Sequence, residues 1–98
     1  MNKDLKNYIE LINKNFDEFQ KRFNVKKIAV FGSTARGLHT NRSDIDVIVE
    51  FKKPIGLFEF VKLENRLAEI LGKRVDLTTK NALKSEIKKS VLKEAVYA

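Results

Sequence analysis

Residues 31–49 read Phe31-Gly-Ser-Thr-Ala-Arg-Gly-Leu-His-Thr-Asn-Arg-Ser-Asp-Ile-Asp-Val-Ile-Val49. A short apolar run over residues 26–31, Lys-Lys-Ile-Ala-Val-Phe, leads into this stretch and stops at Gly32. That is the pattern of a buried strand closed by a turn. Residues 44–51, Asp-Ile-Asp-Val-Ile-Val-Glu-Phe, are rich in β-branched side chains and read as the next strand. The stretch therefore predicts a strand, a Gly-Ser turn, a polar loop and a second strand, the two strands pairing as in a hairpin.

Working outward, residues 4–23 place Leu5, Tyr8, Ile9, Ile12, Phe16, Phe19 and Phe23 at spacings of three and four. This spacing predicts one amphipathic helix, ended by Asn24. After Pro54, Leu57, Phe60, Val61, Leu67, Ile70 and Leu71 again recur at helical spacing, and Gly72 is a suitable stop. Residues 74–78, Arg-Val-Asp-Leu-Thr, predict a third strand. A last helix is expected from about Leu83 to Ala95, with Leu83, Ile87, Val91 and Ala95 on one face. Phe16, Phe19, Phe23, Phe31, Phe58 and Phe60 are expected in the core. The order helix, strand, strand, helix, strand, helix predicts an α/β (α+β) fold, a small mixed β-sheet packed with helices. Residues 1–98 are expected to form a single domain.

Composition excludes several kinds of chemistry. With no cysteine, there is no disulfide framework, thiolate zinc site or cysteine nucleophile. A single histidine, His39, rules out a multi-histidine metal site within one chain. No apolar run approaches the roughly 20 residues of a membrane helix. The start, Met1-Asn-Lys-Asp-Leu-Lys6, does not resemble a signal peptide, so a cytoplasmic location is expected. Twenty basic against thirteen acidic residues give a formal net charge of +7. The excess is spread along the chain without a basic, aromatic-laced block. It permits an acidic or nucleic-acid partner but does not require nucleic acid.

Three features in this frame carry chemistry. Gly32-Ser33 directly after a strand lets the chain turn sharply, and a helical turn starting at Ser33 would aim N–H groups and a hydroxyl at phosphate. The spacing of Gly32 and Gly37 matches the glycines of a P-loop, but Leu38-His39 stands where Lys-Ser/Thr is required. Asp44 and Asp46 form the second feature. Side chains at i and i+2 of a strand share a face, so these carboxylates project together while Ile45, Val47 and Val49 turn to the core. Their mutual repulsion is relieved by a hard divalent cation such as Mg²⁺, or they are a solvated strand end. The third feature is Asp76, which shares a face with Arg74 opposite Val75 and Leu77. It joins the same carboxylate face if residues 74–78 lie beside 44–49. Otherwise it is a surface carboxylate paired with Arg74 or Lys73.

Together these features resemble the nucleotidyltransferase superfamily of DNA polymerase β. Gly32-Ser-Thr-Ala-Arg-Gly37, five residues, then Ser43-Asp-Ile-Asp46, is similar to the minimal nucleotidyltransferase (MNT) family, antitoxins of HEPN/MNT toxin–antitoxin modules. Residues 73–77, Lys-Arg-Val-Asp-Leu, and the ending Val91-Leu-Lys-Glu-Ala-Val-Tyr97 extend the likeness over nearly the whole chain. The resemblance implies a polymerase β palm-like fold and an Mg²⁺-dependent enzyme with two metal ions and ATP as substrate. It implies Asp44 and Asp46 as ligands of both ions, with Asp76 as third carboxylate and base. It further implies Gly32 and Ser33 on the triphosphate and Arg36 beside the nucleotide. Arg36 either clamps phosphate or bridges to one of the aspartates. Arg42 does the same from the loop, His39 is an exposed loop residue, Ser43 a turn or strand-entry residue, and Tyr97 is assigned no chemistry.

The family implication is transfer of AMP from ATP to a tyrosine hydroxyl of a HEPN ribonuclease toxin. A domain this small is expected to borrow its acceptor site from a partner or from its own dimer. Two alternatives stay open: an antitoxin that neutralises its partner by binding alone, and an autonomous nucleotidyltransferase acting on a small molecule or RNA end.

Overall fold

The computed structural model describes residues 3–37 and 44–98. In chain order it contains α1 (Lys3–Lys14), α2 (Phe16–Phe23), β1 (Val25–Phe31), α3 (Gly32–Ala35), β2 (Ile45–Phe51), α4 (Leu57–Leu71) and β3 (Val75–Thr79). A 3₁₀ turn (Lys80–Ala82), α5 (Ser85–Glu94) and β4 (Val96–Tyr97) follow. The strands lie in the order β3-β2-β1-β4. β1 is antiparallel to β2 and β4, whereas β2 and β3 run parallel, so the sheet is mixed as expected.

Period-two alternation, interrupted in β1 by an irregularity between Val25 and Lys27, builds the main core. Val25, Ile28 and Val30 of β1, Ile45, Val47 and Val49 of β2, and Val75 and Leu77 of β3 join one buried cluster. Leu5 and Ile12 of α1, Phe19 and Phe23 of α2, and Leu63, Leu67 and Leu71 of α4 close over it. Each large apolar side chain fully buried there contributes about 1.5–3 kcal/mol. Asp46 and Ile48 alternate with the core residues of β2 and so belong to the other face of the sheet. Ile48 and its partner Ala29 are also buried, although neither belongs to the main cluster.

Several expectations need correction. The first helix is two helices, broken at Asn15. The Asn15 side-chain amide donates to Leu11 O at 2.8 Å, satisfying a carbonyl at the end of α1, as asparagine does where it competes with the helix ladder. Asn24 ends α2 in the left-handed conformation, φ 56°, and Gly72 ends α4 at φ 71°, both as expected. The buried stripe of α4 is Leu63, Leu67 and Leu71, whereas Leu57 and Val61 are exposed. Phe58 is 84% exposed and lies outside the core. Helical spacing cannot tell which stripe faces the sheet, because apolar residues occupy more than one face of α4. The last helix starts later than expected, at Ser85, and buries no residue. The two-residue strand β4 was not expected; it pairs Val96 with Val30 and Tyr97 with Ala29.

Candidate active site

The site is assembled where β1 ends and where β2 and β3 begin. At the end of β1 the chain leaves extended Phe31 and enters Gly32 at φ +71°. The four-residue α3 follows, closed by Arg36 N–H donating to Gly32 O at 3.2 Å and Gly37 N–H to Thr34 O at 3.2 Å. Glycine is required at position 32 for two reasons. The positive φ is costly for other residues, and a Cβ there would collide with the Asp46 carboxylate, coming within 3.1 Å of its Cγ. The missing side chain thus lets backbone and carboxylate approach closely. Ser33 lies in the first turn of α3, where backbone N–H groups lack helical partners. Thr34, the next residue, is buried.

Asp44 stands just ahead of β2 and Asp46 is its second residue. Ile45 between them is 1% exposed and belongs to the core, so the expected division of faces holds. β3 lies beside β2 in parallel, and the register sets Asp76 opposite Asp46. Neighbouring strands are about 4.8 Å apart, so the two carboxylates are close neighbours on one face. The condition set for Asp76 is therefore met: its strand does lie beside residues 44–49. Arg74 does not neutralise Asp76. Its Nε instead lies 3.2 Å from Asp44 Oδ1, and its carbonyl accepts from Ile45 N–H at 2.9 Å.

Asp46 is the electrostatic centre of the group. Partial burial holds its carboxyl above the usual carboxylate range, and Asp76 and then Asp44 push it the same way. Arg36 acts in the opposite direction. Arg36 bridges to none of the aspartates; its Nη1 lies 3.6 Å from Glu94 Oε2 at the end of α5. Sequence spacing points to neither that partner nor the Arg74–Asp44 pair, because each joins segments distant along the chain. Glu64 was also overlooked. Its Oε2 accepts from Leu77 N–H at 2.9 Å, holding the backbone next to Asp76 against α4. His39, Arg42 and Ser43 lie outside the described residues.

Among the described residues, no three His, Cys, Asp or Glu side chains close into a finished metal cage. The donor set nevertheless fits a hard divalent cation. Asp46 is strained by two neighbouring carboxylates, and only oxygen ligands are present. A separate groove of about 340 Å³, lined by Val49, Phe51, Pro54, Ile55, Phe60 and Lys80 among others, lies towards the far end of β2. None of the three aspartates borders it.

Known proteins share the family and the fold of this chain. The model of the nucleotidyltransferase domain family matches residues 12–98. The protein adenylyltransferase MntA of Thermococcus cleftensis is 48% identical over 80 residues, which cover 82% of this chain and 81% of that protein. A solved structure described as a minimal nucleotidyltransferase superposes with a TM-score of 0.80 at 29% identity, covering 95% of this chain and 94% of the other. A toxin–antitoxin structure with AMP-PNP superposes with a TM-score of 0.71 at 23% identity, covering 87% and 69%; at that identity the likeness is one of fold. A strand–glycine turn–strand unit carrying Asp44 and Asp46, with Asp76 in register beside it, is thus found in a chain that belongs to the nucleotidyltransferase domain family and is an enzyme of that class.

Proposed function

We propose that this nucleotidyltransferase transfers AMP from ATP to a tyrosine hydroxyl of a HEPN-type ribonuclease toxin in the cytoplasm, silencing the toxin and serving as its antitoxin. The observation that carries the reading is the facing of Asp46 and Asp76 across β2 and β3, with the Gly32 turn packed against Asp46. The Thermococcus relative's activity and the AMP-PNP seen in a toxin–antitoxin neighbour support it.

In this reading Asp44, Asp46 and Asp76 hold two Mg²⁺ ions. When bound, Mg²⁺ supplies neutralisation of phosphate charge and a more acidic attacking hydroxyl. The backbone N–H groups of Gly32 and Ser33, the Ser33 hydroxyl and the Arg36 guanidinium bind the triphosphate. Asp76 accepts the tyrosine proton. The phenolic oxygen bonds to the α-phosphorus, the bond from that phosphorus to the bridging oxygen breaks, and pyrophosphate departs with the electron pair. The short α-helical turn and the two strands would fix the nucleotide for in-line attack, which is the positional part of the catalysis supplied by this chain.

The test uses two labels. The purified protein is incubated with Mg²⁺ and a lysate of its source cell, with ATP labelled at the α-phosphate in one sample and the γ-phosphate in another. An α-derived protein label that disappears in Asp46→Asn is expected, and the labelled band identifies the acceptor. A label from the γ-phosphate alone would mean phosphoryl transfer and overturn the proposal.

A further inference from the structure

Arg36 leaves the same short turn that carries Gly32 and Ser33, since its backbone N–H closes α3 onto Gly32 O. Its guanidinium has two potential anionic neighbours. One is Asp46, whose carboxyl already feels its charge. The other is Glu94, which it meets at 3.6 Å, the one ion pair of Arg36 among the described residues. Both side chains are about half exposed, 52% for Arg36 and 43% for Glu94, so the pair is reached by solvent and by ligands.

Glu94 is well anchored for an exposed residue. It ends α5, and Ala95 N–H donates to Val91 O at 2.9 Å. Val96, two residues on, pairs with Val30, which stands two residues before Gly32. The Val30–Val96 pair is therefore equally distant along the chain from the glycine turn and from Glu94. The Arg36–Glu94 contact closes a ring through β1, α3 and β4. At 3.6 Å the contact is an ion pair beyond hydrogen-bond distance, so the N–H donors of the planar fork remain for a second anion. Without Glu94, Asp46 is the other carboxylate that the Arg36 charge acts on, and an arginine folded onto it would neutralise a metal-binding carboxylate while withdrawing from phosphate.

We infer that Glu94 is a positioning residue: it holds Arg36 off the aspartates and aims its free donors at the phosphates of ATP. The inference rests on the proposed nucleotide contact of Arg36. It assigns Glu94 no contact with substrate.

The test is equilibrium binding, by calorimetry with Mg²⁺, of an ATP analogue carrying a methylene bridge between the α- and β-phosphates. Glu94→Gln is expected to weaken binding about two- to fivefold, the scale of an exposed ion pair. Glu94→Asp restores most of the loss. In an Arg36→Gln background, which is itself weakened, Glu94→Gln has no further effect, because the two residues act as one unit. Thermal melting of each variant separates this from damage to α5, since the expected binding losses come without a matching fall in Tm. Additive losses, or unchanged binding in Glu94→Gln beside weakened binding in Arg36→Gln, overturn the inference. Unchanged binding in Arg36→Gln removes the nucleotide contact and the inference with it. AMP transfer, judged separately by the Asp46→Asn label experiment, then stands or falls by itself.

Discussion

Asp46 and Asp76 sit opposite one another in the parallel pair β2–β3, and the Asp46 carboxyl pKa is raised by burial first and by its acidic neighbours second. Two like charges at this spacing oppose folding of the metal-free protein, and a bound cation would relieve their repulsion.

Asp46→Asn should abolish nucleotidyl transfer and raise the metal-free melting temperature at neutral pH. The sign follows from linkage. A carboxyl whose pKa is higher in the folded than in the unfolded state adds stability that is complete in acid and lost as pH rises through the folded value. The variant escapes that loss, so its advantage over the wild type should shrink as pH falls below the ordinary carboxylate range. Calorimetric melts in EDTA from acid to neutral pH check this, and a lower neutral-pH Tm for the variant would contradict it.

Ile45→Ala changes the other face of the same strand. Ile45 is 1% exposed between the two aspartates, so truncation should cost about 2–5 kcal/mol in urea unfolding. Retained stability would mean that the faces of β2 are reversed.

Gly32→Ala should lose activity and stability together. The left-handed backbone costs an alanine about 1–2 kcal/mol, and its methyl group would meet the Asp46 carboxylate. Urea unfolding with a transfer assay checks both; an active variant of wild-type stability would show that the turn has another conformation.

Glu18 and Arg66 tie α2 to α4, with Nε–Oε2 at 2.9 Å and Nη2–Oε1 at 3.2 Å. The hydrogen bond from Arg66 is the main cause that holds the Glu18 carboxyl below its usual range. Its stabilising contribution is present above the unfolded pKa and lost as pH falls through the folded one. Glu18→Gln should lower stability at neutral pH and flatten its decline in acid, measured by unfolding midpoints across that range.

Phe58→Ala should change stability by no more than about 0.5 kcal/mol, as expected for an exposed site. Leu63→Ala, on the buried stripe of the same helix, should cost about 2–5 kcal/mol. Similar effects at the two positions would refute the observed orientation of α4.

The sequence by itself determined the parts that depend on short-range chemistry. Gly32 after an apolar run, the β-branched run with Asp44 and Asp46 two residues apart, and the stops at Asn24 and Gly72 all obey local rules of backbone conformation and side-chain parity. The mixed α/β class follows from the order of such segments. Tertiary structure decided what depends on packing between distant segments. The parallel register brought Asp76 to Asp46, although no local feature of residues 74–78 names its partner strand. Arg36 turned to Glu94 and Arg74 to Asp44, because an ion pair forms with whichever anion the fold brings near. Asn15 split a helix whose apolar spacing runs on unbroken, since its side chain could satisfy a backbone carbonyl. The sheet buried Leu63, Leu67 and Leu71 and left Leu57 and Phe58 in solvent. Periodicity states that a helix has an apolar stripe; the surface it meets selects which stripe is covered.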